Sequence, residues 1–146
     1  MKGDWKKMSF PERAKDNYIK GFACAESILH AIRDEGIIGK FPDEVLKCSS
    51  GFGTGIGGSG GICGAITGSV MSIGLKYGRV DVNGHNKQTF EKVSEFLEGF
   101  QKRYHKQNCI DLTKTWREKG KFKTPERKKF CSAIVQFAAS VLERIL

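Results

Sequence analysis

Residues 51–78, GFGTGIGGSGGICGAITGSVMSIGLKYG, form a long stretch with almost no charge and a cysteine at its middle. Between Lys47 and Lys76 the only ionisable side chains are Cys48 and Cys63, so the surroundings should be dry, tightly packed and close to the Cys63 thiol. The first half holds too much glycine for a stable helix, because each glycine costs roughly 0.8 to 1 kcal/mol relative to alanine in a helix interior. It reads as a loop. From about Ile62 the pattern changes: Ile62, Ile66, Val70 and Ile73 recur at helical intervals, and Gly78 stands where a left-handed cap would close the helix. Cys63 is therefore expected in the first turn of a helix, behind a glycine loop.

Working outward, 146 residues make most simply one domain, spanning residues 1–146 and large enough to bury a core without disulfides or metal. The composition, 39% hydrophobic and 28% charged, is that of a globular chain. The start, MKGDWKKMSFPERAKDN, is charged throughout, so neither a secretory signal nor a membrane anchor is expected there, and the reading is cytoplasmic. Gly60, Gly64 and Gly68 have the small-xxx-small spacing of packed membrane helices. The helical half nevertheless falls short of the ~20 apolar residues a span requires, which favours a buried helix closely approached by its neighbours.

Upstream, Ser9 to Glu12 is a capping box with proline in the first turn, so a helix should begin near Phe10. Ala14, Tyr18, Phe22, Ala25, Leu29 and Ile32 continue one face, Gly36 closes it, and Gly21 kinks or splits it. Cys24 lies beside that face. A short helix from Pro42 should carry Cys48 near its end. Downstream, residues 79–87 are turn-like around Asn83 and Gly84. Phe90, Val93, Leu97, Phe100 and Tyr104 mark a helix from about Gln88, and a shorter one should follow Cys109. Thr124-Pro125-Glu126 starts the last helix, with Phe130, Ile134, Phe137, Ala138, Val141 and Ile145 on its face and Cys131 in its second turn. No segment alternates with period two. The expected fold is all-α, a single-domain helical bundle whose glycine-rich loop precedes the central helix.

Net charge is +9, much of it local: Arg117, Lys119, Lys121, Lys123, Arg127, Lys128 and Lys129 cluster around Trp116 and Phe122. Such a cluster reads first as a solvated linker and helix start, and second as a surface for nucleic acid or an acidic partner. No groove-reading or base-stacking motif accompanies it, so nucleic-acid binding is not expected.

The five cysteines match no zinc finger, no CxxC and no CxxCH spacing. Buried cysteines are by default small hydrophobes, though five in one chain of this size is many. Cys63 is the most informative. At a helix N-terminus, unpaired amides and the helix dipole favour thiolate, the form that attacks disulfides and binds metals, whereas burial works the other way. The glycine loop should add free backbone donors, and Gly58, Gly60, Gly61 and Gly64 are the positions where backbone could approach a cofactor. The loop satisfies GxGxxG twice, but no strand precedes it, so nucleotide binding is not expected. His30, His85 and His105 have no partner at ligand spacing.

The segment Cys63-Gly64-Ala65-Ile66-Thr67-Gly68 resembles the CGAxxG motif of the redox-active family named for its cysteine pattern, C-GCAxxG-C-C. Ile73 to Gly78, IGLKYG, looks like the family's continuation, and the resemblance extends over nearly the whole chain. It implies four characteristic cysteines: Cys24, Cys63, Cys109 and Cys131, with Cys48 left out. It also implies redox chemistry at cysteine, carried by an oxidoreductase or an electron carrier. The family is similar in part to haem-containing electron-transfer proteins that also hold an iron-sulfur centre, but haem attachment sites are absent here.

Two uses follow for the four cysteines, and the sequence leaves both open. They form thiol/disulfide pairs, with Cys63 attacking and one of the others resolving, or they are the four thiolate ligands of an iron-sulfur cluster. A zinc site is a third use, disfavoured because the chain should fold without metal. Either redox use calls for a redox partner protein. The contrasting reading is a basic helical binding module with inert cysteines.

Overall fold

Helix starts and stops written into the sequence account for most of the architecture. The computed structural model describes residues 7–146; the charged start also takes in residues 1–6, which lie outside the described residues. Ser9 caps α1 (Phe10–Lys20): the Glu12 amide donates to Ser9 Oγ, and Glu12 Oε1 accepts from the Ser9 amide at 2.9 Å. The expected long helix is split at Gly21, whose φ of +126° leaves the helical path, and α2 (Cys24–Glu35) begins three residues later. Phe22 therefore lies in the link, exposed and stacked on the His30 ring at 4.2 Å, rather than on a buried face. Gly36 ends α2 in the left-handed conformation expected of it.

The next element, α3 (Asp43–Ser49), carries Cys48 near its end, and a single 3₁₀ turn (Ser50–Phe52) leads into the glycine loop. α4 (Gly64–Tyr77) starts two residues later than the periodicity from Ile62 suggests, so Cys63 is its N-cap and not part of its first turn. Gly78 ends α4 in extended backbone, which corrects the expected left-handed cap. What excludes a side chain there is crowding, since a Cβ would sit 2.4 Å from the Gly74 carbonyl oxygen.

After an irregular segment come α5 (Lys87–Tyr104), α6 (Cys109–Leu112), α7 (Lys114–Glu118) and α8 (Pro125–Ile145), the last capped by Thr124. In α5 the buried residues are Phe96 and Phe100, while Phe90, expected on the inner face, is 67% exposed. The inner stripe is thus turned so that Val93, Phe96, Leu97, Phe100 and Tyr104 meet the core. Among the described residues there are eight α-helices and no strand, only an isolated bridge between Ile62 and Asn108. No helix among them is long and apolar enough to cross a membrane.

The bundle is built around α8, which packs on α1, α2, α4 and α5; α4 in turn packs on α2 and α5. At 21 residues α8 is about 31 Å long, enough to run the depth of the domain. α4 is buried on most sides because its residues are small. Its inward serines, Ser69 and Ser72, donate to the carbonyls of Ala65 and Gly68 one turn back, which lets a polar hydroxyl lie in the core without an unmet hydrogen bond.

Candidate functional site

Cys24 and Cys63 come together where α2 and α4 begin. Gly64 and Gly68 make this possible: a Cβ at Gly64 would lie 2.8 Å from the Cys24 Cβ, and one at Gly68 would lie 2.8 Å from the Ala25 Cα. The two glycines of the CGAxxG string therefore let α4 rest directly on the first turn of α2, at the level of Cys24 and Ala25. Two helix N-termini of 12 and 14 residues converge there.

Cys109 is delivered by the glycine loop. Residues 60–63 run antiparallel to 107–110: the Cys63 amide donates to the Gln107 carbonyl at 2.8 Å, the Cys109 amide to the Gly61 carbonyl at 2.7 Å, and the Ile110 amide to the Gly60 carbonyl at 3.0 Å. Gly55, with φ +70°, sits so close to this segment that a Cβ would be 2.7 Å from the Cys109 Cβ. Its neighbours Thr54 and Ile56 hold φ of +50° and +62°, a conformation that costs a β-branched residue about 1–3 kcal/mol. The loop offsets this with its own hydrogen bonds. Gly58, Gly60 and Gly61 donate their amides to the carbonyls of Gly53, Thr54 and Gly55, so the expected free donors are already engaged. Gly64, the fourth of these positions, is the seat for Cys24.

Cys131 reaches the same place from α8. Cys24, Cys63, Cys109 and Cys131 together line a small inner chamber of about 20 Å³, roomy enough for about one water. Cys48 is exposed on α3 and lines no part of it. Outside the chamber lies a cleft of about 350 Å³, open to solvent, whose floor contains Cys24, Cys109 and Cys131 but not Cys63. Cys63 is 6% exposed and sits behind the other three.

All five thiols are free. A hydrogen bond from the Cys24 thiol lowers the Cys63 pKa against the opposing effect of burial, and the amides of Ala65 and Ile66 lower it further. These amides help without forming a regular side-chain cap. The same hydrogen bond, together with burial, holds Cys24 well above the ordinary thiol range. Burial also raises Cys131, and a hydrogen bond from Arg127 partly counters it.

Part of the basic cluster is folded inward. Arg127 Nη1 donates to Tyr18 Oη at 2.7 Å and to Cys131 Sγ at 3.5 Å, and its Nε donates to the Phe122 carbonyl at 2.6 Å. Arg117 Nη2 reaches Cys109 Sγ at 3.8 Å, while its Nε donates to Thr113 Oγ1. Between the two guanidinium groups lies the Phe122 ring, 4.2 and 4.3 Å from them. The cluster read as a solvated linker thus supplies a cation to each of two cysteines. The i, i+4 spacing of Arg127 and Cys131 was the available signal in the sequence; nothing local pointed to Arg117 or Tyr18.

Among the described residues no group of three or more His, Cys, Asp or Glu side chains is placed to hold a metal ion. A chamber of one-water size is too small for an iron-sulfur cluster, and the described thiols are not placed as a four-thiolate zinc site.

In comparison with known proteins, the family model described as "Putative redox-active protein (C_GCAxxG_C_C)" matches residues 22–145. Nothing matches among the curated proteins or the solved structures.

Proposed function

Because the chain belongs to the C_GCAxxG_C_C family, we propose that it is a thiol/disulfide redox protein in which Cys24 and Cys63 are the dithiol that is oxidised and reduced. The observation that carries this reading is the close approach of α4 to the first turn of α2 at Gly64, which brings Cys63 and Cys24 to one small inner chamber, and the opposite directions in which their pKa values are moved support it. A direct thiol–thiolate pair needs only loss of one proton and two electrons to become a disulfide. Four-thiolate ligation of a cluster is less well supported, since among the described residues no three donors are placed to hold one metal ion.

Burial favours a reversal of the roles expected from the sequence. Cys24 lines the outer cleft as well as the chamber, whereas Cys63 lines the chamber alone. In the proposed order Cys63 thiolate takes the Cys24 proton, and Cys24 attacks the incoming disulfide and becomes a mixed disulfide. Cys63 then attacks Cys24 Sγ and releases the second thiol. Cys131 and Cys109, each beside an arginine, are the second candidate pair and would pass oxidation to or from the first. The proposed electron partner is a redox protein or small thiol reaching this cleft.

Mild oxidation of the reduced protein followed by peptide mapping tests the reading. A Cys24–Cys63 linked peptide is expected, lost in Cys24→Ser and in Cys63→Ser and retained in Cys48→Ser. Oxidation that leaves Cys24 and Cys63 as free thiols while linking other cysteines would overturn it.

A further inference from the structure

We propose that the outer cleft is a binding site for a small disulfide bearing carboxylates, held by Lys128 and Arg127 with its sulfurs over Cys24. The inference rests on the dithiol reading above and adds the substrate class. Three observations carry it. The cleft holds about 350 Å³, within the range of small-molecule sites, and Cys24, Cys109 and Cys131 are among the residues that line it, so a molecule lying in it can reach sulfur. Its walls are the rings of Phe22 and Phe122, apolar surfaces suited to the carbon-sulfur body of such a ligand. Its cations outnumber its anions: Arg127 and Lys128 face Glu26, and one Glu26 oxygen already accepts from the Ala23 amide.

The cations are also available. Among the described residues Lys128 makes no ion pair, and Arg127 uses Nε and Nη1 in its hydrogen bonds but not Nη2. An arginine fixed by its other nitrogens and presenting a free edge suits a carboxylate. The rest of the dense basic cluster, including the neighbouring Lys129, does not line the cleft.

The reaction balances without a further reagent. Cys24 thiolate attacks one sulfur of the bound disulfide; that S–S bond breaks, a Cys24 mixed disulfide forms, and the first thiolate leaves with the proton the pair held. Cys63 then attacks Cys24 Sγ, breaking the mixed bond and releasing the second thiolate, which takes a proton from water. The protein dithiol loses two electrons and one disulfide becomes two thiols.

The test compares oxidation rates of the reduced full-length protein by three small disulfides: dithiodipropionate, a dianion; hydroxyethyl disulfide, neutral; and cystamine, a dication. Formation of the Cys24–Cys63 linkage is followed by quenching and peptide mapping. The dianion is expected to react at least about tenfold faster than the dication, the scale of one good charge contact. Lys128→Gln should lower the ratio of dianion to neutral rates several-fold, while Lys129→Gln, which removes the same net charge outside the cleft, should leave it. Equal rates with all three, or equal effects of the two lysine variants, would overturn this inference and leave the dithiol reading standing. Failure of every disulfide to form the Cys24–Cys63 bond would overturn both.

Discussion

Gly64 stands directly against Cys24, so close that a single added methyl group would lie 2.8 Å from the Cys24 Cβ. The glycine beside Cys63 is therefore what lets α4 approach α2, and with it Cys63 approach Cys24. The same contact explains why a glycine is tolerated one residue into a helix that it weakens intrinsically. Its missing side chain is the space in which the two cysteines meet.

Gly64→Ala and Gly68→Ala should each destabilise the reduced protein by about 1–3 kcal/mol, the usual cost of forcing a methyl group into packed surroundings. Gly74 offers the contrast, since a Cβ there meets nothing within 4 Å. Gly74→Ala should be neutral or stabilising by up to about 1 kcal/mol, because alanine is the better helix former. Urea denaturation of the three variants checks both statements, and equal losses at all three positions would contradict the packing argument.

Alkylation of the native, reduced protein should begin at Cys48 and reach Cys63 last. Thiolate character favours Cys63, but its sulfur lies in the inner chamber at 6% exposure while Cys48 is exposed, and a reagent must touch the sulfur to react. Mass spectrometry after brief iodoacetamide treatment reads the order. In denaturant the fold no longer shields any thiol, and the difference should largely vanish.

The pH dependence has a definite sign. The Cys63 pKa is lowered from 9.0 in the fold, so its contribution to stability is fully present above the unfolded thiol value and is lost as pH falls through the lowered one. Cys24 and Cys131 are raised, so theirs are present below the unfolded value and lost as pH rises through the raised ones. Thiolate absorbance of the reduced protein should accordingly show one step below the ordinary range, assigned to the Cys24–Cys63 pair jointly. Cys24→Ala removes the largest cause of that step, the hydrogen bond to Cys63, and should move it upward; Cys63→Ser should remove it.

Tight binding to nucleic acid is not expected at about 150 mM salt, although the net charge is +9. Arg117 and Arg127 face Phe122 and the cysteines rather than forming an outward basic stripe. Fluorescence anisotropy with single-stranded and duplex probes checks this. Sub-micromolar binding lost on neutralising Lys121, Lys123, Lys128 and Lys129 would instead favour a basic binding module.

Much of the secondary structure was legible because the signals are local. The Ser9–Glu12 box, Gly36, and Thr124 with Pro125 each fix a helix end through atoms a few residues away. Phe90 shows the limit of periodicity: it keeps helical spacing with Val93 and Leu97, yet it stays 67% exposed while Phe96 and Phe100 are fully buried. The glycine loop shows another. Its composition announces a loop but says nothing of which carbonyls its amides will find, and they find those within the loop itself.

The sequence by itself determined an all-α domain, the position of Cys63, Cys109 and Cys131 near a helix start or in an early turn, and the CGAxxG string that relates the chain to its family. Only the tertiary structure decided that Cys63 lies behind Cys24 and that Arg117 and Arg127 turn inward to two of the sulfurs. The reason is physical. Helix formation depends on neighbours within about four residues, whereas the depth of a thiol and the partner of a guanidinium depend on which helices pack together. That packing is set by shapes such as the bare face of Gly64 and Gly68, whose complement on α2 lies far away along the chain.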